Sequence, residues 1–554
     1  MEHRVHRAWR LLVVTVWFLA GPGGVTPLMA GGGSEVERVP LTWLNVADYA
    51  VVPAESCRVA AQIDDALGVE LSLRGGPMGS TALSEQLYLA MLRGGELPDI
   101  FPWHHVLISS YPPIQELYAP ISIDQVRRLM PNTFRAIESS VSREGAAELW
   151  ADLTIDGKLY AVPKLTTEYS YLPGILWRRD ILEELGMVVP ETLGQWERVF
   201  EAYTRRHPGE VSWGGIEGHG FVFETVLQAA AIYPSSFYRS GEELLPGILL
   251  PQFRDTLALL RRWYERGYIR IFPQNDGAGS MVPDTDGYFA SGKIIVTDNA
   301  RCTRGDMICD PPYYAHSLPE RTQRAIPGAT FVVGPLPRLD AASPARTPSG
   351  SGLPYPSGFF GFNRKLEAEP ARLERAMQLV DAILGDERLY LLTQFGTEGA
   401  DWRWEIVGGA RRPVRIDPAD RSANIGTYWL MGYSPFEQLY GLDPRISRSI
   451  DENYKQPGAI YAASAESGLV ATGSSTLIPV SFRVPYSDQS EQATADKRDY
   501  QRTFQGLHEL VYRSYFVPIL EGRLELGALD ELRARYFAEG GRELIAIIQR
   551  WSRG

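Results

Sequence analysis

The sequence predicts an α/β protein that folds into two lobes. Its 554 residues exceed what one hydrophobic core usually holds, so two lobes of roughly 200 to 250 residues each are expected. Strand signals alternate with helix signals from Val39 onward, which predicts parallel sheets covered by helices. The third observation is the stretch from Gly157 to Tyr203, where the signals of a strand, a crossover and two helices follow one another.

The region before this stretch begins with an extended strand and its following loop, PLTWLNVADY. Short apolar runs and the glycines that end helices predict the next elements. They are a helix at 55–67 ended by Gly68, a strand at 69–73, a helix at 83–92 and a strand at 98–101.

The stretch itself opens on the turn signal Asp156-Gly157, which leads into a short strand at 159–162. A helix is predicted from Trp177 to Leu185, with a glycine as its left-handed cap. Thr192 stands three residues before Gln195, which predicts a capping box for the next helix. We expect this stretch to carry the chain from one lobe to the other.

Further elements follow the same logic later in the chain. The segment from 338 to 356 is rich in Pro, Ser and Gly, which predicts a surface connection. The predicted elements are a helix at 253–266, a strand at 359–363 and a helix at 370–385.

The charge balance argues against nucleic acid and anionic lipid as partners. The net charge is −12, and the chain has no Lys/Arg cluster to offset it. Residues 1–30 hold Arg4, Arg7 and Arg10 against Glu2, a local +2, so a chain without them stands at −12 − 2 = −14.

The first 30 residues predict a signal peptide. A basic region ends at Arg10, and the apolar run from Leu11 to Ala20 is shorter than the roughly 20 residues of a membrane span. Ala30, before three glycines, is the expected cleavage point. We therefore predict an exported protein.

The three cysteines predict neither a metal site nor catalysis. Cys302 and Cys309 could form a disulfide in an oxidising compartment, which would leave Cys57 over. Three thiols without a nearby His pair lack the spacing that zinc requires. Asp284 to Gly287 suggests a calcium loop, but the residues after it, Tyr288 to Ala290, supply no ligand side chains. No metal and no cofactor is expected.

Several motifs, in this order, resemble the extracellular solute-binding proteins of ABC importers, in particular the carbohydrate-binding branch with its maltose-type and larger lipoprotein-like members. The stretch at 157–203 contributes Gly-Lys-Leu-Tyr-x-x-Pro, Trp-x-x-Asp before Leu-Gly, and Pro-x-Thr-x-x-Gln-Trp. The others are LPDIFPWHH at 97–105, the Gly-Lys segment at 287–298, VVGPLP at 332–337, FGTEGADW at 395–402 and the segment 537–551. The resemblance implies a strand ending at Asp298, a strand at 331–337 and a C-terminal helix at 537–551.

The resemblance implies a two-lobe periplasmic-binding-protein fold with a ligand cleft between the lobes. Lobe one is expected at 31–165 plus 301–365, and lobe two at 166–300 plus 366–554. A carbohydrate, in particular an oligosaccharide, would be captured by hinge closure and delivered to the ABC permease in the membrane. The protein would be a monomer and periplasmic or extracellular. Lipid-anchored members have a Cys after the cleavage point, and none stands there in this chain.

Candidate ligand contacts are aromatic and polar residues at the expected cleft. Sugars pack their C–H faces on aromatic rings, and their hydroxyls need polar partners. In open sheets the ligand meets the loops at the carboxyl ends of strands. The candidates are Trp43, Asp48, Trp103, His104, Tyr171, Trp177, Asp298, Asn299, Phe359, Glu398 and Trp402.

Trp103 matches the sugar-stacking Trp of the maltose-type members, whereas Val106 stands where they carry an acidic residue, so maltose itself is not implied. Each of the other candidates could instead serve core packing, helix capping or a turn.

Two other functions stay open at this point. No G-x-S-x-G elbow, H-E-x-x-H, phosphate loop or G-x-G-x-x-G motif is present. A secreted glycoside hydrolase could still form its carboxylate pair from residues far apart in sequence. An exported structural or adhesive protein is the third reading, and a peptide or another polar solute could replace the sugar.

Overall fold

Two five-stranded sheets organise the chain, one in each lobe, and each has its own hydrophobic core. The computed structural model describes 38–45, 59–75, 90–102, 114–140, 143–163, 173–216, 221–234, 236–240, 243–272, 286–301, 318–343, 359–407, 410–417, 436, 477–479, 488 and 490–552. Two separate cores built from strands and helices confirm the predicted two-lobe α/β class.

The lobe-one sheet has the order β2-β1-β3-β14-β6. Its strands are β1 (Val39–Asn45), β2 (Val69–Gly75), β3 (Ile100–Pro102), β6 (Val162–Pro163) and β14 (Phe359–Phe362). β1 pairs in parallel with β2 and β3, and β14 pairs antiparallel with β3 and β6. The helices of this lobe are Ala60–Leu67, Ile114–Leu117, Ile123–Leu129, Pro131–Ser140, Arg143–Asp152, Pro370–Gly385 and Glu387–Phe395.

Two hairpins accompany this lobe. One joins β4 (Thr154–Ile155) to β5 (Lys158–Leu159) through the predicted turn, with Asp156 at φ 50 and Gly157 at φ 73. The other joins β15 (Trp402–Val407) to β16 (Ala410–Arg415) and packs on the helix Glu387–Phe395.

The lobe-two sheet has the order β11-β8-β12-β7-β13. Its strands are β7 (Pro173–Arg178), β8 (Trp213–Ile216), β11 (Ile269–Phe272), β12 (Val296–Arg301) and β13 (Phe331–Gly334). β8 is parallel to β11 and β12, whereas β7 is antiparallel to β12 and β13. A small sheet of β9 (Phe237–Ser240), β10 (Glu243–Pro246) and β17 (Leu477–Pro479) completes the strands.

Helices on both sides of the chain's midpoint share the lobe-two core, which explains why the C-terminal region belongs there. They are Arg179–Glu184, Leu193–Arg206, Glu224–Ala229, Pro251–Glu265, Asp286–Ala290, Leu318–Ala325, Glu491–Val511, Val517–Leu520, Leu529–Tyr536 and Arg542–Trp551. In the described residues no helix is both long and apolar enough to cross a membrane.

Among the described strands, the chain changes from one lobe to the other three times: from β6 to β7, from β13 to β14, and from β16 to β17. These crossings differ from the boundaries expected from sequence. β13 pairs with β7 and its Val333 lies in the lobe-two core, although 301–365 was assigned to lobe one. The helix Pro370–Gly385 lies in the lobe-one core, although 366–554 was assigned to lobe two. We therefore propose lobes of 38–163 plus 359–415 and 173–334 plus 477–552.

The local predictions around the first crossing hold with two exceptions. The strand expected at 159–162 is divided between β5 and β6, and Tyr160 and Ala161 lie outside both strands. Thr192 and Gln195 form the predicted capping box of the helix Leu193–Arg206. Trp177, expected to open a helix, instead lies in β7, and the helix begins at Arg179. The reason is pairing on both sides, since Trp177 stands opposite Val296 on β12 and Val332 on β13.

Similarly, the segment predicted as one strand ending at Asp298 contains the helix Asp286–Ala290 before β12. The signal segment 1–30, the calcium-like residues Asp284 and Thr285, and all three cysteines lie outside the described residues.

Candidate functional site

The ligand-facing edges of the two sheets are set by their parallel strands. β1, β2 and β3 in lobe one, and β8, β11 and β12 in lobe two, run in parallel within each sheet. Ligands of open α/β sheets meet the carboxyl ends of such strands. Asp48, Trp103 and His104 follow β1 and β3 at these ends, and Tyr171 belongs to the first crossing. All four lie outside the described residues and remain predictions.

Asp298 is the sequence-predicted residue whose surroundings best fit a ligand site. It is half-buried and lies within β12, two residues after the strand begins at Val296. Its Oδ1 accepts a hydrogen bond from Trp213 Nε1 at 3.3 Å, and its Oδ2 accepts one from Thr225 Oγ1 at 2.7 Å. The carboxylate is therefore held from two other elements, β8 and the helix Glu224–Ala229.

A β-bulge accompanies this carboxylate. Thr297 pairs with Leu176 and Ala300 with Gly174, so Asp298 and Asn299 together stand opposite Ile175 alone. A bulge bends its strand, re-aims side chains and is common beside active sites. The backbone of Asn299 is part of β12, and its side chain lies outside what the structure describes.

The aromatic candidates on regular elements lie in hydrophobic cores. Trp43 and Trp177 have 0% exposed surface, and Phe359 has 2%. Trp43 and Phe359 belong to the lobe-one core, and Trp177 contacts Trp196 edge to face at 4.9 Å in lobe two. A side chain without exposed surface has no face to offer a sugar. The structure therefore assigns these three residues to packing.

The FGTEGADW segment forms a turn that is closed by hydrogen bonds between its own residues. Trp402 is 3% exposed, and its Nε1 donates to the carbonyl of Gly396 at 2.8 Å. Thr397 N donates to the Asp401 carboxylate at 2.7 Å, while Glu398 is exposed. Trp402 is thus a packing residue of the β15–β16 hairpin, and the turn accounts for the glycines.

Sequence reasoning missed Trp213 and Thr225. In sequence, Trp213 looks like one more core aromatic residue. In the structure it is indeed fully buried between Trp196 and Phe223. Its link to Asp298 spans 85 residues and Thr225's spans 73, so no local spacing signals either bond.

Two carboxyl groups elsewhere, the buried Asp381 and the half-buried Asp64, have raised pKa values, which is relevant to the alternative of a glycoside hydrolase. Burial raises the pKa of Asp381 above its ordinary value, against hydrogen bonds from Thr133 and Asn132 that lower it. Burial likewise raises the pKa of Asp64, which accepts from the backbone N–H of Leu71 at 2.8 Å. Both carboxyls tie lobe-one elements together. Among the described residues there is no group of three or more His, Cys, Asp or Glu that could hold a metal ion.

Comparisons with known proteins give a consistent set of relatives. No family model matches the chain. A curated relative, the polygalacturonan/rhamnogalacturonan-binding protein YtcQ of Bacillus subtilis (strain 168), is 22% identical over 415 residues, which are 71% of this chain and 74% of that protein.

Solved structures share the fold at low identity. The S. pneumoniae ABC-transporter substrate-binding protein FusA in complex with kestose has a TM-score of 0.60 at 14% identity, covering 92% of this chain and 98% of that chain. An HMO-binding, ABC-transporter-associated solute-binding protein from Bifidobacterium longum infantis ATCC 15697 has a TM-score of 0.57 at 15% identity, covering 93% and 98%.

Proposed function

We propose that this chain, which has the two-lobe fold of the solute-binding proteins of ABC importers, captures a carbohydrate and delivers it to a membrane permease. The observation that carries the proposal is the match over 415 residues to a bacterial protein named for binding polygalacturonan and rhamnogalacturonan. We propose that the ligand is an oligosaccharide. The protein would bind it without breaking a bond.

The proposed binding set joins loops from both lobes. Trp103 and His104 follow β3, Tyr171 belongs to the first crossing, and Asp298 and Asn299 form the bulge of β12. An aromatic ring supplies a face for the sugar's C–H groups, and the carboxylate and imidazole supply partners for its hydroxyls. Asp48 in the loop after β1 completes the polar set.

Closure about the three crossings would bury the sugar, and the permease would recognise the closed form. The energy for closure comes from contacts that only the closed form makes with the ligand. We propose that residues 1–30 are a signal peptide and that the protein acts as a monomer in the periplasm or at the cell exterior.

A thermal-shift screen of the full chain tests the proposal. The panel contains oligogalacturonides, rhamnogalacturonan oligosaccharides and kestose, with a tripeptide as the control solute. A ligand at about 100 times its Kd stabilises the folded state by about 2.7 kcal/mol, so the binder raises Tm clearly. A rise with the peptide and with none of the carbohydrates would overturn the proposal.

The glycoside hydrolase alternative is separated by one further measurement. The carbohydrate that raises Tm is incubated with the protein and analysed by mass spectrometry. A binding protein returns it whole, and cleavage products would instead establish hydrolysis.

A further inference from the structure

We infer that Trp213 and Thr225 are positioning residues of the carbohydrate site, which hold the Asp298 carboxylate in one orientation toward a pair of adjacent sugar hydroxyls. Trp213 acts through its indole N–H and not by stacking on the ligand. This inference rests on the proposed function, since Asp298 belongs to its binding set.

The first support is the geometry of the two hydrogen bonds. Trp213 Nε1 donates to one carboxylate oxygen at 3.3 Å, and Thr225 Oγ1 donates to the other at 2.7 Å. Donors on both oxygens fix the rotation of the carboxylate about its Cβ–Cγ bond. Both donors are neutral, so neither of these two bonds pairs the carboxylate with a positive charge.

The second support is the burial of Trp213. The ring has 0% exposed surface and contacts Trp196 at 5.3 Å and Phe223 at 4.7 Å between centroids. A sugar cannot reach a ring that is covered in this way. Trp213 is the first residue of β8, and the group through which it reaches Asp298 is its indole N–H.

The third support is the backbone around both partners. Phe223 and Ala231, at the two ends of the helix that carries Thr225, have φ angles of 61° and 65°. Non-glycine residues in this region cost free energy and concentrate at functional sites. The bulge at Asp298 is a second departure from regular geometry at the same place.

Together these features favour a sugar with two adjacent hydroxyls. A carboxylate with both oxygens held in a fixed plane can accept from two neighbouring donors at once. Because the group is already oriented, binding does not cost the freedom of that side chain. Loss of either donor lets the carboxylate rotate and restores this cost.

The test is calorimetry on the full chain with whichever of trigalacturonate and kestose binds the wild type. Trp213→Phe removes the N–H and keeps an aromatic ring, while Thr225→Val removes the hydroxyl and keeps the shape. Each is expected to weaken binding about tenfold, and Asp298→Asn by on the order of a hundredfold. Thr225→Ser restores a hydroxyl and recovers the affinity.

The matched control is Trp263→Phe. Trp263 is also fully buried in the lobe-two core, and its Nε1 has no hydrogen-bond partner in the described part of the chain. The Trp263→Phe variant should lose stability as Trp213→Phe does, but it should keep the carbohydrate affinity of the wild type. If Trp213→Phe does not fold, the Thr225→Val and Thr225→Ser pair carries the test.

The outcomes separate the inference from the proposed function. If Trp213→Phe and Thr225→Val bind as the wild type does while Asp298→Asn binds weakly, the positioning role is wrong and the proposed function stands. In the Asp298→Asn background, Trp213→Phe should add no further loss of affinity. If the wild type binds no carbohydrate, the proposed function fails, and this inference fails with it.

Discussion

The guanidinium of Arg372 lies 2.7 Å from the carboxylate of Asp99, an ion pair between residues 273 positions apart. Asp99 has 0% exposed surface and precedes β3. Its carboxylate also accepts from the N–H of Thr42 on β1 at 2.7 Å and lies 3.1 Å from Lys365. One buried charge thus joins two strands of lobe one to the helix that follows the second crossing.

Asp99→Asn should destabilise the protein by about 3 kcal/mol, because it leaves Arg372 and Lys365 without their buried counter-charge. Urea unfolding monitored by tryptophan fluorescence gives the free energy of unfolding. The control is Glu367→Gln, which removes an exposed ion pair with Arg364 at 2.9 Å and should cost under about 1 kcal/mol. Equal losses in the two variants would contradict the role assigned to Asp99.

The same carboxylate predicts a pH dependence. Burial acts to raise the pKa of Asp99, but hydrogen bonds from Thr42 and the charge of Lys365 outweigh it and hold the pKa below its ordinary value. A carboxyl with a lowered folded-state pKa stabilises the fold above its unfolded pKa of about 4, and this contribution disappears as pH falls through the folded pKa.

The difference in unfolding free energy between wild type and Asp99→Asn should therefore be constant near neutral pH and shrink below about pH 4. Urea titrations between about pH 3 and pH 7 measure it. A difference that stays constant over the whole range would show that the charge of Asp99 is not what stabilises this part of lobe one.

Sequence reasoning succeeds here where a structure depends on neighbours in the chain. The turn at Asp156-Gly157 and the capping box at Thr192 and Gln195 form as predicted, because each needs only residues within a few positions. The alternation of strands and helices likewise predicts the α/β class.

Sequence reasoning fails where contacts between segments far apart in the chain determine the structure. The short apolar run at Leu176 and Trp177 is compatible with strand or helix, and pairing with β12 and β13 selects the strand. The lobe to which β13 belongs depends on its pairing with β7, which no local pattern encodes. The same limit hides Trp213 as a partner of Asp298, because the two strands meet only in the folded sheet.

Thr192→Ala should cost about 1 kcal/mol of stability and leave carbohydrate affinity unchanged. Thr192 Oγ1 accepts from Gln195 N at 3.3 Å, and Gln195 Oε1 accepts from Thr192 N at 3.0 Å. Both bonds serve the start of the helix Leu193–Arg206. Loss of the hydroxyl removes one of the two acceptors of Gln195 N–H and leaves it with the Thr192 carbonyl at 2.9 Å. Thr192→Ser keeps the hydroxyl and should retain most of the stability in thermal melts. A full loss in Thr192→Ser would point to the missing methyl group instead.

Trp103→Ala should weaken carbohydrate binding by roughly 1 to 3 kcal/mol and leave Tm nearly unchanged, because the role that we propose for this ring is stacking on the sugar and not packing in a core. Trp43→Phe is the matched variant. Trp43 lies in β1 with 0% exposed surface in the lobe-one core, so its replacement should lower Tm and leave the affinity intact. Calorimetry and thermal melts on both variants measure the two effects. An affinity for Trp103→Ala equal to that of the wild type would remove Trp103 from the proposed site.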